Sequence, residues 1–270
     1  MKKIIILSQV LLFAVLLAAC GQDDTYKVGA TPVPHAEILQ EAKPYMEEKG
    51  FEYEVVEFTD YNLPNSSLDS GELIANFYQH IPYLETQMED YDYDFVNVGG
   101  VHVEPIGIYS KDYDSLEALP NDLELIISNS PSDRPRLLKM LDENDIITLN
   151  DGVDNQTIEG SSLSGLNDLF TSDYSITFTE IDSALLFTNY NNNSGDAVLI
   201  NGNYALDNGL DPLTDAIALE GSASPYVNIL VARSEDEDDP FIQALIEVLQ
   251  SEDIATFIEE TYDGAVIPVN

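Results

Sequence analysis

Residues 98–110, VGGVHVEPIGIYS, mark the place where one alternation of strands and helices ends and a second begins. Upstream, Lys27–Ala30 reads as a short strand, and a helical pattern runs from His35 to Lys49 with Ile38, Leu39, Ala42 and Tyr45 at helical spacing. Phe51–Phe58 alternates as a strand does. Gly71–Tyr78 and Phe95–Val98 read as further strands, with a helix over His80–Asp90 between them. Downstream the rhythm restarts: a strand at Leu123–Ser128, a helix at Pro131–Asn144 with proline in its first turn, and strands at Ile176–Thr179 and Ala197–Ile200. The polar stretches 150–165 and 188–195 read as loops. A last strand at Val227–Val231 precedes helical patterns over Pro240–Gln250 and Ile254–Thr261. Such an order predicts an α/β chain of two lobes, the first formed by 27–109 plus 224–270 and the second by 110–223. Two crossings would then make a hinge, with a ligand cleft between the lobes.

The N-terminus reads differently. Lys2 and Lys3 precede an apolar run from Ile4 to Leu17, which ends in Leu17, Ala18, Ala19 and the single cysteine, Cys20. A charged start, a short apolar run and small residues before a cut are the parts of a secretory signal peptide. The run is shorter than the roughly 20 residues that span a bilayer. A cysteine at this place fits a bacterial lipobox. That predicts a signal peptide over 1–20, a mature chain fatty-acylated (palmitate) at Cys20, and a tether over 21–26 holding it to the outer face of the cell membrane. The alternatives are an ordinary signal peptide with an incidental cysteine, or a short anchor helix. With no second cysteine, there is no disulfide to form.

Composition narrows the function. A hydrophobic fraction of 44% is that of a globular chain. Fifty acidic against ten basic residues give a formal net charge of −40, a field that repels nucleic acid and anionic lipid and excludes both as partners of the folded body. The acids are spread along the chain in runs such as 234–239, with no Asp-x-Asp-x-Asp-Gly loop. They predict a solvated surface suited to high salt or alkaline surroundings rather than a calcium trap.

His35, His80 and His102 are the only histidines, a number that invites zinc. No His-rich tract accompanies them and His35 follows Pro34 at a helix start, so neither metal nor cofactor is expected. Tyr61, Phe77, Tyr78, His80 and Tyr83 gather near the ends of predicted strands, where open α/β sheets take their ligands. They are either core or, with His80 and His102, the lining for a small apolar side chain. Arg134 and Arg136 stand out because Arg233 is the only other arginine. Each is either a partner for a ligand carboxylate at a helix start or half of a surface ion pair. No Gly-x-Ser-x-Gly elbow, His-Glu-x-x-His helix or phosphate-binding glycine loop occurs, so no enzyme is expected. A binding protein or a surface adhesin remains.

The runs VGATPVPHAEIL (28–39), VEFTDYNLPN (56–65), GELIANFYQHIPYL (71–84), VGGVHVEPIGIYS (98–110), INGNYALDNGLDP (200–212), SPYVNILVAR (224–233) and GAVIP (264–268) resemble the NlpA/MetQ family of methionine-binding lipoproteins across the mature chain. The resemblance implies a periplasmic-binding-protein-like fold and a receptor that hands L-methionine, or its D-form, to the permease and ATPase subunits of an ABC importer as a monomer. A methionine-containing dipeptide or another apolar amino acid is the alternative cargo. On that resemblance Tyr61, Phe77, His80, Tyr83 and His102 would line a thioether pocket, Arg136 would grip the carboxylate, and Asn201 and Asn203 would hold the amino-acid end. Arg136→Ala would cost affinity with little change in stability. In the segment resembling the family's NDPSNxxRAL, this chain carries Ser130 and Asp133 where the family has Asp and Asn, and Pro135 before Arg136.

Overall fold

The computed structural model describes residues 25–221 and 225–269. The expected signal peptide, the lipid site at Cys20 and most of the tether lie outside the described residues. Within them no helix is long and apolar enough to cross a membrane.

The fold is two-lobed. The chain enters through β1 (Tyr26–Ala30) and α1 (Glu37–Glu48), then β2 (Tyr53–Glu57), α2 (Leu63–Asp69), β3 (Ala75–His80), α3 (Ile81–Tyr91) and β4 (Phe95–Val103). After Val103 it crosses into a second sheet. This contains β5 (Gly107–Tyr109), β6 (Asp122–Ser128), α4 (Arg134–Glu143), a small ribbon of β7 (Thr148–Leu149) and β8 (Phe170–Thr171) around α5 (Asn155–Glu159), and β9 (Ser175–Ile181). There follow α6 (Leu186–Asn191), β10 (Ala197–Ile200), α7 (Gly202–Asp207), α8 (Pro212–Asp215) and β11 (Ala218–Leu219). A second crossing returns to β12 (Val227–Arg233), α9 (Pro240–Leu249), α10 (Glu252–Tyr262) and β13 (Ile267–Pro268).

The first sheet runs β13-β4-β12-β3-β1-β2 and the second β11-β5-β10-β6-β9. The returning strand β12 is wedged antiparallel between β3 and β4, so the first lobe needs both ends of the chain to be complete. In each sheet a parallel core carries the site: β1 beside β2 and β3, and β6 beside β9 and β10.

Periodicity explains the packing. Ile38, Leu39, Ala42 and Met46 form the buried stripe of α1 and share one core with Phe241, Ile242 and Leu245 of α9 and Ile254 and Ile258 of α10. The second lobe has its own core, centred on Leu123, Leu125 and Ile127 of β6 against Leu137, Leu138 and Leu141 of α4. Each such side chain contributes about 1.5–3 kcal/mol by leaving water.

Four local expectations change. Gly107–Tyr109, placed in the first lobe, pairs with β10 and β11 in the second sheet, so the sheet boundary falls three residues before the expected one. The strand expected from Gly71 starts at Ala75, because Gly71 turns the chain at φ +79°. The helix expected from Pro131 begins as a 3-10 turn, Pro131–Asp133, and becomes α-helical at Arg134. The stretch 150–165, expected to be a loop, contains α5, and the one from 188 takes in the end of α6; the Asp154 carboxylate caps α5 by accepting from the Thr157 N–H.

Candidate functional site

The carboxyl ends of the parallel strands of both lobes converge on one cleft. Beyond β2 lies Tyr61, at the end of β3 His80, and in the first turn of α3 Tyr83. From the second lobe come Asp133 and Arg136 after β6, and Asn201 and Asn203 after β10. Residues separated by more than a hundred positions meet here because parallel strands all present the same end.

Each side chain is locally determined. His80 is the N-cap of α3, its Nδ1 accepting the Tyr83 N–H at 3.1 Å. That leaves the proton on Nε2, which points at Asp133 Oδ1 3.8 Å away in the other lobe. Tyr61 donates across the cleft to Asn203 Oδ1 at 2.5 Å, and its own carbonyl accepts from the Tyr83 and Tyr78 hydroxyls at 3.1 and 3.3 Å. Burial pushes the Tyr61 hydroxyl well above its usual range, so it stays a donor. The rings of Tyr61, Tyr78 and Tyr83 lie about 6 Å from one another, centroid to centroid, and wall the first-lobe side of the cavity.

Arg136 is 4% exposed and joins both crossings to the second lobe. Its Nε donates to Glu220 at 3.1 Å, its Nη2 to Glu220 and to the Glu104 carbonyl at 2.8 Å, and its guanidinium lies 4.6 Å from the centre of the Tyr226 ring. Its Nη1 faces Asp133 Oδ1 at 3.9 Å. Burial alone would push the Asp133 carboxyl up, but His80, Arg136 and Asn201 overcome it and hold Asp133 below the usual carboxylate range. Arg134, the other arginine, points away: it binds Glu180 at 2.6 and 2.8 Å and the Ser161 carbonyl at 2.6 Å. Both arginines are thus paired with a glutamate, and Arg136 is the one at the cleft.

Six of the eight expected ligand residues line the cavity: Tyr61, His80, Tyr83, Arg136, Asn201 and Asn203. Phe77 and His102 do not; both are fully buried one layer behind. There His102 Nε2 donates to Glu104 Oε1 at 2.6 Å, and Thr31 Oγ1 lies 2.8 Å from His35 Nδ1, so that His35 Nε2 is left to face Asn228 Oδ1 and Glu104 Oε1, both at 3.1 Å. Burial depresses His35 to about 4 and His102 to about 3, and raises the Glu104 carboxyl. Among the described residues His35, His102 and Glu104 are the one group whose donor atoms are close enough to share an ion. A 2.6 Å separation is a hydrogen bond; two ligands on tetrahedral zinc stand about 3.4 Å apart.

Gln79, Glu104, Ser130, Asp133 and Asn228 also line the cavity without a sequence assignment to it, and Tyr78, which the sequence leaves between core and lining, faces the cavity. Asp133 carries a signal in the sequence, an acid three residues before Arg136 at a helix start. Tyr78 stands next to Phe77 in the same run. Nothing in the local pattern marked Glu104 or Asn228.

The NlpA lipoprotein family model matches residues 26–270. The methionine-binding lipoprotein MetQ of Bacillus subtilis is 43% identical, with all of both chains covered. Among solved structures, a lipoprotein of Enterococcus faecalis described as a pheromone cOB1 precursor of the YaeC family superposes with a TM-score of 0.86 at 44% identity, covering 91% of this chain and all of that one. A nutrient-binding protein of Burkholderia cenocepacia, solved bound to methionine, gives 0.84 at 35%, with the same coverage. With the match running through both lobes and both crossings, the chain belongs to the NlpA lipoprotein family.

Proposed function

We propose that this chain is a lipid-anchored, extracytoplasmic receptor that closes its two lobes on methionine and delivers it to the permease and ATPase of an ABC importer. The observation that carries the proposal is the cavity itself: tyrosine rings from one lobe face an arginine, an aspartate and two asparagines from the other. That is an oily wall opposite a charged one, as a small zwitterion with an apolar tail requires. Kinship to a methionine-binding lipoprotein and to a nutrient-binding protein solved with methionine supports the cargo.

The magnitudes suffice. Burying a methionine-sized tail contributes about 1.5–3 kcal/mol, charged hydrogen bonds at the head about 1.5–3 kcal/mol each, and sulfur against ring edges about 0.3–1.5 kcal/mol. Together these reach micromolar affinity, about 8 kcal/mol. Tyr61, Tyr78 and Tyr83 would enclose the thioether, with Arg136 and the Asn201–Asn203 turn at the head. Phe77 and His102 would support that wall from behind. Residues 27–106 with 225–269 would move as one lobe and 107–220 as the other. Cys20 would tether the monomer to the membrane, and catalysis has no part.

Calorimetry of the mature chain with L-methionine, D-methionine and Gly-Met tests this. Heat from L-methionine at micromolar concentration is the expected result. Heat from Gly-Met alone would make the dipeptide the cargo, and silence from all three would sink the proposal.

A further inference from the structure

In the second lobe, β6 and β10 are parallel neighbours, so the turns that follow them open side by side. One turn ends in Asp133, the other starts with Asn201. Asp133 is 3% and Asn201 6% exposed, and both line the cavity. Asn201 Nδ2 donates to Asp133 Oδ2 at 3.1 Å. This leaves two acceptors at one corner. Asn201 Oδ1 is a buried oxygen with no hydrogen-bond partner among the described residues. Asp133 Oδ1 looks toward His80 Nε2 and Arg136 Nη1, but at 3.8 and 3.9 Å it is beyond hydrogen-bond distance of either.

A buried acceptor left without a donor is costly, and Asn201 Oδ1 in that state, beside a carboxylate oxygen whose charged neighbours stand 3.8 and 3.9 Å away, describes the missing group. It must be small, cationic and rich in donors. An ammonium has three N–H donors and no acceptor. The opposite charge is also in place. Arg136 spends Nε and Nη2 on Glu220 and the Glu104 carbonyl, while Nη1 is the nitrogen facing Asp133. A positive and a negative group fixed 3.9 Å apart match the head of an α-amino acid, whose ammonium and carboxylate share one carbon. Glu220 already balances Arg136, so Asp133 leaves the corner with an excess of negative charge.

We propose that Asp133, with Asn201 Oδ1, receives the α-ammonium of the ligand and makes a free amino group a condition of binding. This rests on the reading of the cleft as an amino-acid site. It sets the orientation: ammonium to Asp133, carboxylate to Arg136, tail toward the tyrosines. It also makes Asp133 a filter. A des-amino acid of the same length would set its carboxylate and Asp133 against one guanidinium that Glu220 already shares, and a site that loses a required charged hydrogen bond rejects such an analogue strongly.

The test measures L-methionine and 4-(methylthio)butanoate, which lacks the amine, on the mature chain and on Asp133→Asn and Asn201→Ala, by calorimetry and by displacement. The unsubstituted chain should prefer methionine by about 100-fold or more. Asp133→Asn should shrink that preference at least about tenfold by weakening methionine, while the des-amino compound binds as well or better, which also shows the cleft intact. Asn201→Ala should shrink it in the same direction and provides the reading if Asp133→Asn does not fold. A preference unchanged in both variants, or both ligands weakened equally, overturns the role of Asp133 while leaving the receptor standing. Failure of the unsubstituted chain to bind methionine overturns both.

Discussion

Arg136 ties the second lobe to both crossings at once, through Glu220 on one and the Glu104 carbonyl on the other. The expectation that its removal would cost affinity alone therefore changes. Arg136→Ala leaves Glu220 with 13% of its side chain exposed and without its main counter-charge, and breaking a buried pair from one side costs about 3–5 kcal/mol. Urea unfolding should show a loss on that order, and a midpoint unchanged from the parent would mean that Glu220 finds water instead. His35 and His102 give a second prediction. An imidazole that titrates near 6.5 in the unfolded chain but at about 4 or about 3 when folded takes up a proton on unfolding throughout the interval between. Their stabilisation is thus complete above pH 6.5 and falls as pH drops toward 4, by about 1.4 kcal/mol per pH unit for each histidine. Glu104, raised by burial, works in the opposite direction, since it releases a proton on unfolding just above its ordinary value. Two imidazoles outweigh one carboxyl. Stability from urea midpoints should decline from pH 7 to pH 5, with a slope shallower by about one proton in His102→Gln; equal slopes would mean His102 is already charged in the folded protein.

At the scale of elements, the start of α7 is pressed against the first crossing. A Cβ at Gly202 would lie 3.0 Å from Glu104 Cβ and 3.0 Å from the Pro105 carbonyl, too close for a side chain unless the crossing yields. Overpacking of this kind costs about 1–3 kcal/mol. Gly202→Ala should lower the unfolding midpoint and weaken ligand binding by displacing Asn201 and Asn203, whereas Gly221→Ala, whose Cβ would meet nothing within 4 Å, should do neither. Equal effects from the two would detach the crossing from the site. This close approach was not legible in the sequence, and neither was the aim of the aromatic side chains. Leu230 pairs with Phe77 and Ile229 with Gln79, so Tyr78 is the extra residue of a bulge in β3. A bulge re-aims its side chain: Phe77 goes to the core and Tyr78 to the cavity. Local pattern carries the 3.6-residue stripe of α1 and the apolar run of β10, because burial on one face writes itself into spacing. It does not carry a bulge, which depends on the partner strand 150 residues later, or a short helix such as α6, which has too few turns to show a period. The expected residues that do line the cavity sit at strand ends or in the turn or first helical turn that follows, where topology alone fixes the location. Glu104 and Asn228 lie on strands or crossings whose neighbours only pairing reveals.

Over the whole molecule the dominant fact is a net charge of −40 with ten basic residues in total. All three arginines are taken up inside the fold, by Glu180, Glu220 and Asp236, so little positive charge is left to offset the acidic surface. Like charges on a compact body repel more strongly than on an extended chain, which lowers stability at low ionic strength. Salt shortens the reach of that repulsion, from about 30 Å at 0.01 M to about 3 Å at 1 M. The site should respond differently. Asp133, Arg136 and Asn201 are each more than nine-tenths buried, where screening is weak, and a zwitterion carries no net charge to be steered or repelled. The melting temperature should therefore climb steadily between 0.01 M and 1 M sodium chloride, while the dissociation constant for methionine stays nearly level. A melting temperature that does not move would show the surface acids to be neutralised already by bound cations. An affinity that falls with salt in step with the Debye length would place the ligand's charged head at the rim of the cleft and not at the Asp133–Arg136 pair.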